Sequence, residues 1–491
     1  MAIKLPSLRH PDRLYIGGEW VPPLEDTQRI DVLESGTEEP FLNVAEAGHG
    51  DVHRAIDAAR RAFDDGPWPN LTHDERARYL VAIGQALAEF STEMADAWSG
   101  EVGILRSAAG AVLSGVPGTY NRYADLAATF PFVETHRPAA GNVGLLVREP
   151  VGVVAAIVPW NSPITMIAHK VAPALLAGCT VVIKTSPEAP TAGLVMAEIC
   201  DRIGLPRGVV NVLTADRGAS EELVRSGRVD KITFTGSSAA GRAIAAICGN
   251  RMARCTMELG GKSAGVILDD YDLGAAAASI AGTARIMTGQ VCSSLTRIIV
   301  GRARHDAFVE ALAAKFSATR VGDPFGSETQ MGPLASARQL EWVRGYVRTG
   351  IAEGAVLATG GGRPAHLERG YYIEPTVFAW VDNAMTIARE EIFGPVLCVI
   401  PAYDEAHAVR IANDSDYGLN ASVFTHDADR AYAVARKLRS GTVGHNSWRT
   451  DFGIAFGGFK QSGIGREGAR EGLLPFLEAK TVILDKHPAV L

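Results

Sequence analysis

The stretch Val153-Val154-Ala155-Ala156-Ile157-Val158, closed by Pro159-Trp160-Asn161, is apolar at six successive positions and then turns polar. A helical pattern follows at 165–177, and the alternation repeats. Strand-like runs at 180–184, 209–213, 231–235 and 255–258 are separated by helical ones at 191–203, 219–226 and 238–248. Strands without polar alternation are buried on both faces, and strand–helix alternation builds a mostly parallel, doubly wound sheet. Such sheets bind ligands at the carboxyl ends of their strands. The informative residues are therefore Pro159-Trp160-Asn161, Lys184-Thr185-Ser186-Pro187-Glu188, Phe234-Thr235-Gly236-Ser237 and Met257-Glu258-Leu259-Gly260-Gly261-Lys262.

Downstream, a second α/β pattern predicts strands at 265–268, 296–300, 396–400, 421–424 and 441–444, with helices at 306–318, 338–353, 404–411 and 430–438. Upstream, 14–20 reads as a hairpin and 51–63 and 74–90 as amphipathic helices. Residues 131–149 mix Pro, Gly and short β patterns, an extended excursion, and 480–484 reads as a late strand joining another sheet, on this chain or on a partner's.

At 491 residues, two cores are expected. The net charge of -7 is spread without blocks, which argues against nucleic-acid or anionic-membrane partners. The six cysteines lack close paired spacing, as in a reduced chain without disulfides or a zinc site. No secretory leader is visible, and the run 151–160 is too short to span a bilayer, so a cytoplasmic protein is expected.

Cys292 stands apart from the other five cysteines, which read as small buried hydrophobes. It lies between an Ala-rich helical pattern (273–285) and the β-branched run 296–300, among small and polar neighbours. That context predicts an exposed loop sulfur beside backbone N–H groups, a usable nucleophile. Glu258 ends an apolar strand, where a carboxylate is either a general base or is stabilised by a backbone amide or Lys262. Asn161 is an amide donor for an oxyanion or a turn residue. Gly236-Ser237 opens a helix, as a phosphate turn or as a plain glycine turn with a Ser cap.

Taken together, Pro159-Trp160-Asn161, Phe234-Thr235-Gly236-Ser237, Met257 to Lys262, Gly289-Gln290-Val291-Cys292, Glu391-Ile392-Phe393-Gly394-Pro395 and Phe456 to Glu467 resemble, in order, the hallmark segments of the NAD(P)-dependent aldehyde dehydrogenase superfamily. The resemblance covers essentially the whole chain. It implies two doubly wound parallel-sheet domains, one Rossmann-like for the cofactor and one catalytic, plus a small β oligomerisation element. The cofactor domain would comprise 1–130 and 150–259, the catalytic domain 260–446, and the bridging element 131–149 and 470–491, with 447–469 returning to the cofactor domain and substrate entry.

The resemblance also implies a mechanism. Cys292 would attack an aldehyde, Asn161 and the Cys292 N–H would hold the oxyanion, hydride would pass to the nicotinamide, and Glu258 would activate water to hydrolyse the thioester. The presence of Glu258 argues against a relative that passes the acyl group to coenzyme A. Cofactor contacts would come from Lys184, Glu188, Gly236, Ser237, Gly241, Trp160, Leu259, Glu391 and Phe393, with NAD the first choice and NADP the alternative. Pro187 stands where strictly NAD-preferring members often carry a Glu, and Ala455 where a Pro is usual. Lys170 and Asn446 match supporting positions. The substrate pocket would be lined by Met166, His169, Ile286, Val291, Ser293, Trp448 and Phe452, mostly apolar, which favours an aliphatic, terpenoid or aromatic aldehyde. Arg122 and Arg449 keep a semialdehyde open. No metal is expected, and the partners would be the aldehyde and further copies, as a homodimer or homotetramer. The competing classes are a binding or structural protein of the same fold and a cofactor-independent Cys-Glu-Lys hydrolase.

Overall fold

A computed structural model describes residues 3, 5–25 and 29–489. The apolar runs of 153–258 form the centre of an eight-stranded sheet in the order Gly463–Ile464, Arg254–Glu258, Lys231–Thr235, Val153–Ile157, Thr180–Thr185, Val210–Thr214, Leu14–Ile16, Glu19–Val21. The five central strands are parallel, and antiparallel pairing is confined to the two edges. Helices such as Pro163–Ala177 and His49–Asp64 cover the sheet, which is why these strands need no polar alternation. The chain winds from Val153–Ile157 to one side as far as Val210–Thr214, then crosses to the other side at Lys231–Thr235. The reversal opens a crevice at the carboxyl ends of Val153–Ile157 and Lys231–Thr235, beside Trp160-Asn161 and Gly236-Ser237.

The second sheet has seven strands in the order Val356–Thr359, Thr376–Ala379, Val396–Ala402, Leu295–Gly301, Ser263–Ile267, Asn420–Phe424, Thr442–His445, parallel except at the first pair. Arg254–Glu258 in the first sheet runs through Leu259 to Lys262 directly into Ser263–Ile267 in the second. The two sheets therefore meet with carboxyl strand ends of one facing amino strand ends of the other. The residues before Leu295, before Val396 and before Ser263 stand opposite the crevice.

A three-stranded sheet holds Leu477–Leu484, Val143–Pro150 and Val133–His136. The late strand expected to join another sheet pairs with the excursion of its own chain, Leu477 opposite Pro150 through Leu484 opposite Val143. No sequence pattern announces the long helix Arg106–Thr129, which contains Pro117 and three glycines and is poor in intrinsic propensity. Packing sustains it: Ala109, Leu113, Val116, Tyr120 and Tyr123 recur at alternating steps of four and three and bury one face against His73–Glu89 and Pro163–Ala177. Among the described residues, no helix is long and apolar enough to cross a membrane.

Candidate active site

The helix Leu273–Ala284 starts at Asp272, whose side chain accepts from the Ala275 N–H at 2.6 Å, and ends in a 3₁₀ turn at Ile286–Gly289. Met287, Thr288 and Gly289 are successively left-handed, with φ of 49°, 56° and 73°. A non-glycine run of that kind is strained and persists only where the surroundings fix it. Here the Thr288 hydroxyl donates to Gly332 O (2.9 Å), the Gln290 amide donates to Met287 O (2.9 Å), and the Gln290 side-chain oxygen accepts from the Ala335 N–H (2.9 Å). Cys292 follows on an irregular link ahead of Leu295–Gly301, as its context predicted. The Trp448 indole holds Ser293 O at 3.0 Å on its far side.

The sulfur is not the exposed one expected. Cys292 is half-buried, and enclosure of the thiol, reinforced by the Glu391 and Glu258 carboxyls, pushes its pKa up to about 12. Small neighbours in sequence did not mean an open site, because the enclosing carboxyls come from distant segments. The thiol therefore rests protonated, and nucleophilicity requires a base that accepts its proton.

Glu258 supplies a carboxyl with no structural occupation. It is buried, neither oxygen has a hydrogen-bond partner, and burial, followed by the nearby Glu467, holds its pKa well above the usual carboxylate range. Neither a backbone amide nor Lys262 stabilises it; Lys262 Nζ is itself buried without a partner. Gly457 leaves room for it, since a Cβ there would stand 2.7 Å from Glu258 Oε1. Nearby, the fully buried Lys170 is paired with Glu467 and donates to Thr233 Oγ1 at 3.3 Å. The Asn161 amide donates to Gln290 O at 2.8 Å, and Asn161 O accepts from the Trp98 indole at 2.9 Å, which fixes the amide against the loop that carries Cys292.

The crevice residues divide. Ser237 is exposed at the start of Ser238–Asn250 and caps it by accepting from the Ala240 N–H at 3.3 Å, so this helix end is open to an anion. Lys184 is buried at its strand end, and desolvation lowers its ammonium to about 8 against the opposing pull of Glu188 and Asp216. Glu391 accepts from the Gly261 N–H at 3.2 Å, and burial raises it to about 7. Its carboxyl occupies the space a Gly260 Cβ would need. Phe393, left-handed at φ 54°, stands edge-on to Trp160 with ring centroids 5.4 Å apart.

Other members of the set also make contacts within the protein. Gly241 makes room for the Leu259 side chain, and Gly236 for the Phe234 ring. Glu188 is bound to Arg338 (2.7 Å) through one carboxylate oxygen and to the Ser186 hydroxyl through the other. The pocket residues also separate. His169 and Phe452 stack at 4.0 Å and line one cavity of about 400 Å³, whereas Ile286 lines another of about 260 Å³. Met166, Val291 and Phe452 border the same apolar core. Arg122 is on the first cavity and Arg449 is not. Asn446 is a turn residue at φ 60°, its Oδ1 accepting from the Thr425 N–H. A cavity of about 630 Å³ around Arg320 and His366 contains none of the site residues. Trp98 and Arg338, both structural partners of the site, gave no sequence signal because their bonds span long separations. Among the described residues, no group of His, Cys, Asp and Glu could hold a metal ion.

The two sheets thus bring an enclosed thiol, an unpartnered carboxyl and an anchored amide to one end of a crevice that also holds a helix end open to an anion. The sequence matches the model of the aldehyde dehydrogenase family over residues 20–482. This chain belongs to the aldehyde dehydrogenase family. Among its relatives, the geranial dehydrogenase of Castellaniella defragrans is 41% identical over 472 residues, covering 96% of this chain and 98% of that one. A 3-succinoylsemialdehyde-pyridine dehydrogenase from a Pseudomonas species is 41% identical over 474 residues, with the same coverage. The crystal structure of a Mycobacterium tuberculosis aldehyde dehydrogenase complexed with NAD+ superimposes with a TM-score of 0.94 at 42% identity, over 96% of this chain and 98% of that one. The match places this chain in the same α/β fold as that structure.

Proposed function

We propose that this protein oxidises a predominantly hydrophobic aldehyde to its carboxylic acid with NAD as coenzyme, Cys292 as nucleophile, Glu258 as base and Asn161 as oxyanion donor. The observation that carries the reading is the unpartnered Glu258 carboxyl beside a protonated Cys292 thiol, on the loop that Asn161 holds through Gln290 O. Segments 1–130 and 150–259 act as the coenzyme domain, 260–446 as the catalytic domain, and 447–469 as the return to substrate entry.

The donor set in the crevice suits a dinucleotide. Ser237 and the helix end would meet the pyrophosphate, Lys184 the adenine ribose, and Glu391 the other ribose, between Trp160 and Phe393. NAD+ held there would supply the acceptor for the aldehyde hydride.

The protein's own groups do the rest. Glu258, its basicity raised by burial, accepts the Cys292 proton, and the thiolate sulfur bonds to the aldehyde carbon. The oxyanion takes the Asn161 amide donor in place of Gln290 O, together with the Cys292 N–H. After oxidation the thioester remains on the sulfur. Glu258 releases the Cys292 proton to solvent and then takes a proton from water; hydroxide adds to the acyl carbon, the C–S bond breaks to give the Cys292 thiolate, Glu258 returns the proton to that sulfur, and the acid leaves. The three-stranded sheet has an open edge on either side and is the surface we assign to association into a dimer or tetramer.

Cys292→Ala should abolish aldehyde-dependent NADH formation, by at least about a thousandfold. Glu258→Gln should slow acid release by roughly a hundredfold or more and let an acyl adduct accumulate on Cys292, visible by mass spectrometry. Substantial oxidation by the alanine variant would overturn the assignment of the nucleophile.

A further inference from the structure

We propose that the cavity beside the Pro163–Ala177 helix is a recognition site for a second oxygen in the substrate, a carbonyl or carboxylate acceptor on the aldehyde's tail, held by Thr165, His169 and Arg122. The inference rests on the dehydrogenase reading and narrows its substrate class.

The cavity, about 400 Å³, is apolar along Val112, Val116 and Phe452 and polar along Thr165, His169 and Arg122. Thr165 and His169 are four residues apart on one helix and so share a face. His169 is only 4% exposed, yet its Nδ1 has no hydrogen-bond partner, and neither has the buried Thr165 Oγ1. Buried polar atoms are normally paired because leaving them unpaired costs free energy. Both side chains line the cavity, and a ligand entering it would complete these atoms once the side chains turn toward it.

The imidazole is also preset. Phe452 stacks on it at 4.0 Å and 16°, and Phe456 on Phe452 at 4.3 Å and 21°, so one ring face is covered and its plane fixed. Burial, helped by the positive charges of Arg122 and Lys170, lowers His169 to about 3, so it offers neutral hydrogen bonds at working pH. Arg122 lies at the exposed rim, where one Nη donates to Thr119 Oγ1 at 3.0 Å and its other donors remain for a ligand. The wall's carboxylate, Asp451, is exposed and accepts from the Gly453 N–H through one oxygen at 2.7 Å. The donors of Arg122, His169 and Thr165 together favour an acceptor oxygen. The helix begins two residues after Asn161, and His169 lies ~9 Å along it at 1.5 Å per residue. That distance sets the reach of the second oxygen from the reacting end.

The test compares kcat/KM for three nine-carbon aldehydes: a simple alkanal, one with a mid-chain ketone and one ending in a carboxylate. The wild type should prefer both oxygenated substrates. His169→Phe, which keeps the stack, and Thr165→Val should each lower kcat/KM for the keto-aldehyde about tenfold more than for the alkanal, mainly through KM. Arg122→Met should weaken chiefly the carboxylate substrate. Equal or better use of the alkanal, or equal losses on all three substrates, would overturn the proposal. Calorimetric titration with the corresponding acids reads the pocket without turnover. Preference for the keto acid over the plain alkanoate in a protein that oxidises no aldehyde would support the pocket and overturn the dehydrogenase reading. Equal binding of the two acids would overturn the pocket assignment.

Discussion

Glu391 is held in a costly state. Its carboxyl stands at about 7 in the folded chain, against about 4.3 for an unfolded glutamate. Between those values the folded chain binds more protons than the unfolded one, so stability is fully present below about pH 4 and is lost as pH rises through about 7. At pH 8 the loss from this group is at most about 4 kcal/mol. Glu391→Gln should therefore raise the Tm of the coenzyme-free protein by roughly 2–3 °C at pH 8 and leave it nearly unchanged near pH 4, read by calorimetry at both values. An equal shift at both pH values would trace the effect to packing instead. The burden is what a coenzyme-binding carboxylate would impose, since residues held for function commonly reduce stability.

At the level of elements, the loop before Cys292 depends on one backbone position. Gly289 is left-handed at φ 73°, and a Cβ there would overlap the Gly394 carbonyl. Gly289→Ala should destabilise by more than about 2 kcal/mol and displace Cys292, so that turnover falls further than stability. Gly282 lies in the preceding helix, and a Cβ added there would meet nothing within 4 Å. Gly282→Ala should stabilise by about 0.5–1 kcal/mol. Thermal melts of the two variants, with activity measured well below Tm, separate the position from the substitution. The same elements show what sequence can carry. The strands of 153–258 were legible because burial on both faces leaves an unbroken apolar signature, and their ends shifted by a residue or two. Arg106–Thr129 was not legible, since Pro117 and its glycines hide a helix that only neighbouring helices sustain. The position of Cys292 on a link could be read from its flanks, but its enclosure could not, because Glu391 arrives from the approach to Val396–Ala402.

Across the whole molecule, the site forms where the carboxyl ends of one sheet meet the amino ends of the other, so contacts between the two halves shape it. The Glu188–Arg338 pair is such a contact. Arg338 lies in the first turn of Ala337–Ala352, next to Gln339, whose amide donates to Phe393 O at 2.7 Å. Its side chain is 78% exposed, and ion pairs of that exposure contribute about 0–1 kcal/mol. Arg338→Ala should therefore leave Tm almost unmoved. Its effect falls on charge: without the guanidinium, Glu188 beside Lys184 presents an uncompensated carboxylate where we assign the adenine ribose. A 2′-phosphate would be repelled there, whereas a 2′-hydroxyl would find an acceptor. The ratio of kcat/KM for NAD over NADP should rise by roughly three- to tenfold in the variant, and the gain should shrink at about 1 M salt, where the screening length falls to about 3 Å. Glu188→Gln in the same background should restore the original ratio. A ratio that stays fixed in Arg338→Ala would mean that Glu188 does not face the ribose, and coenzyme choice would then rest on Lys184 and Pro187 alone.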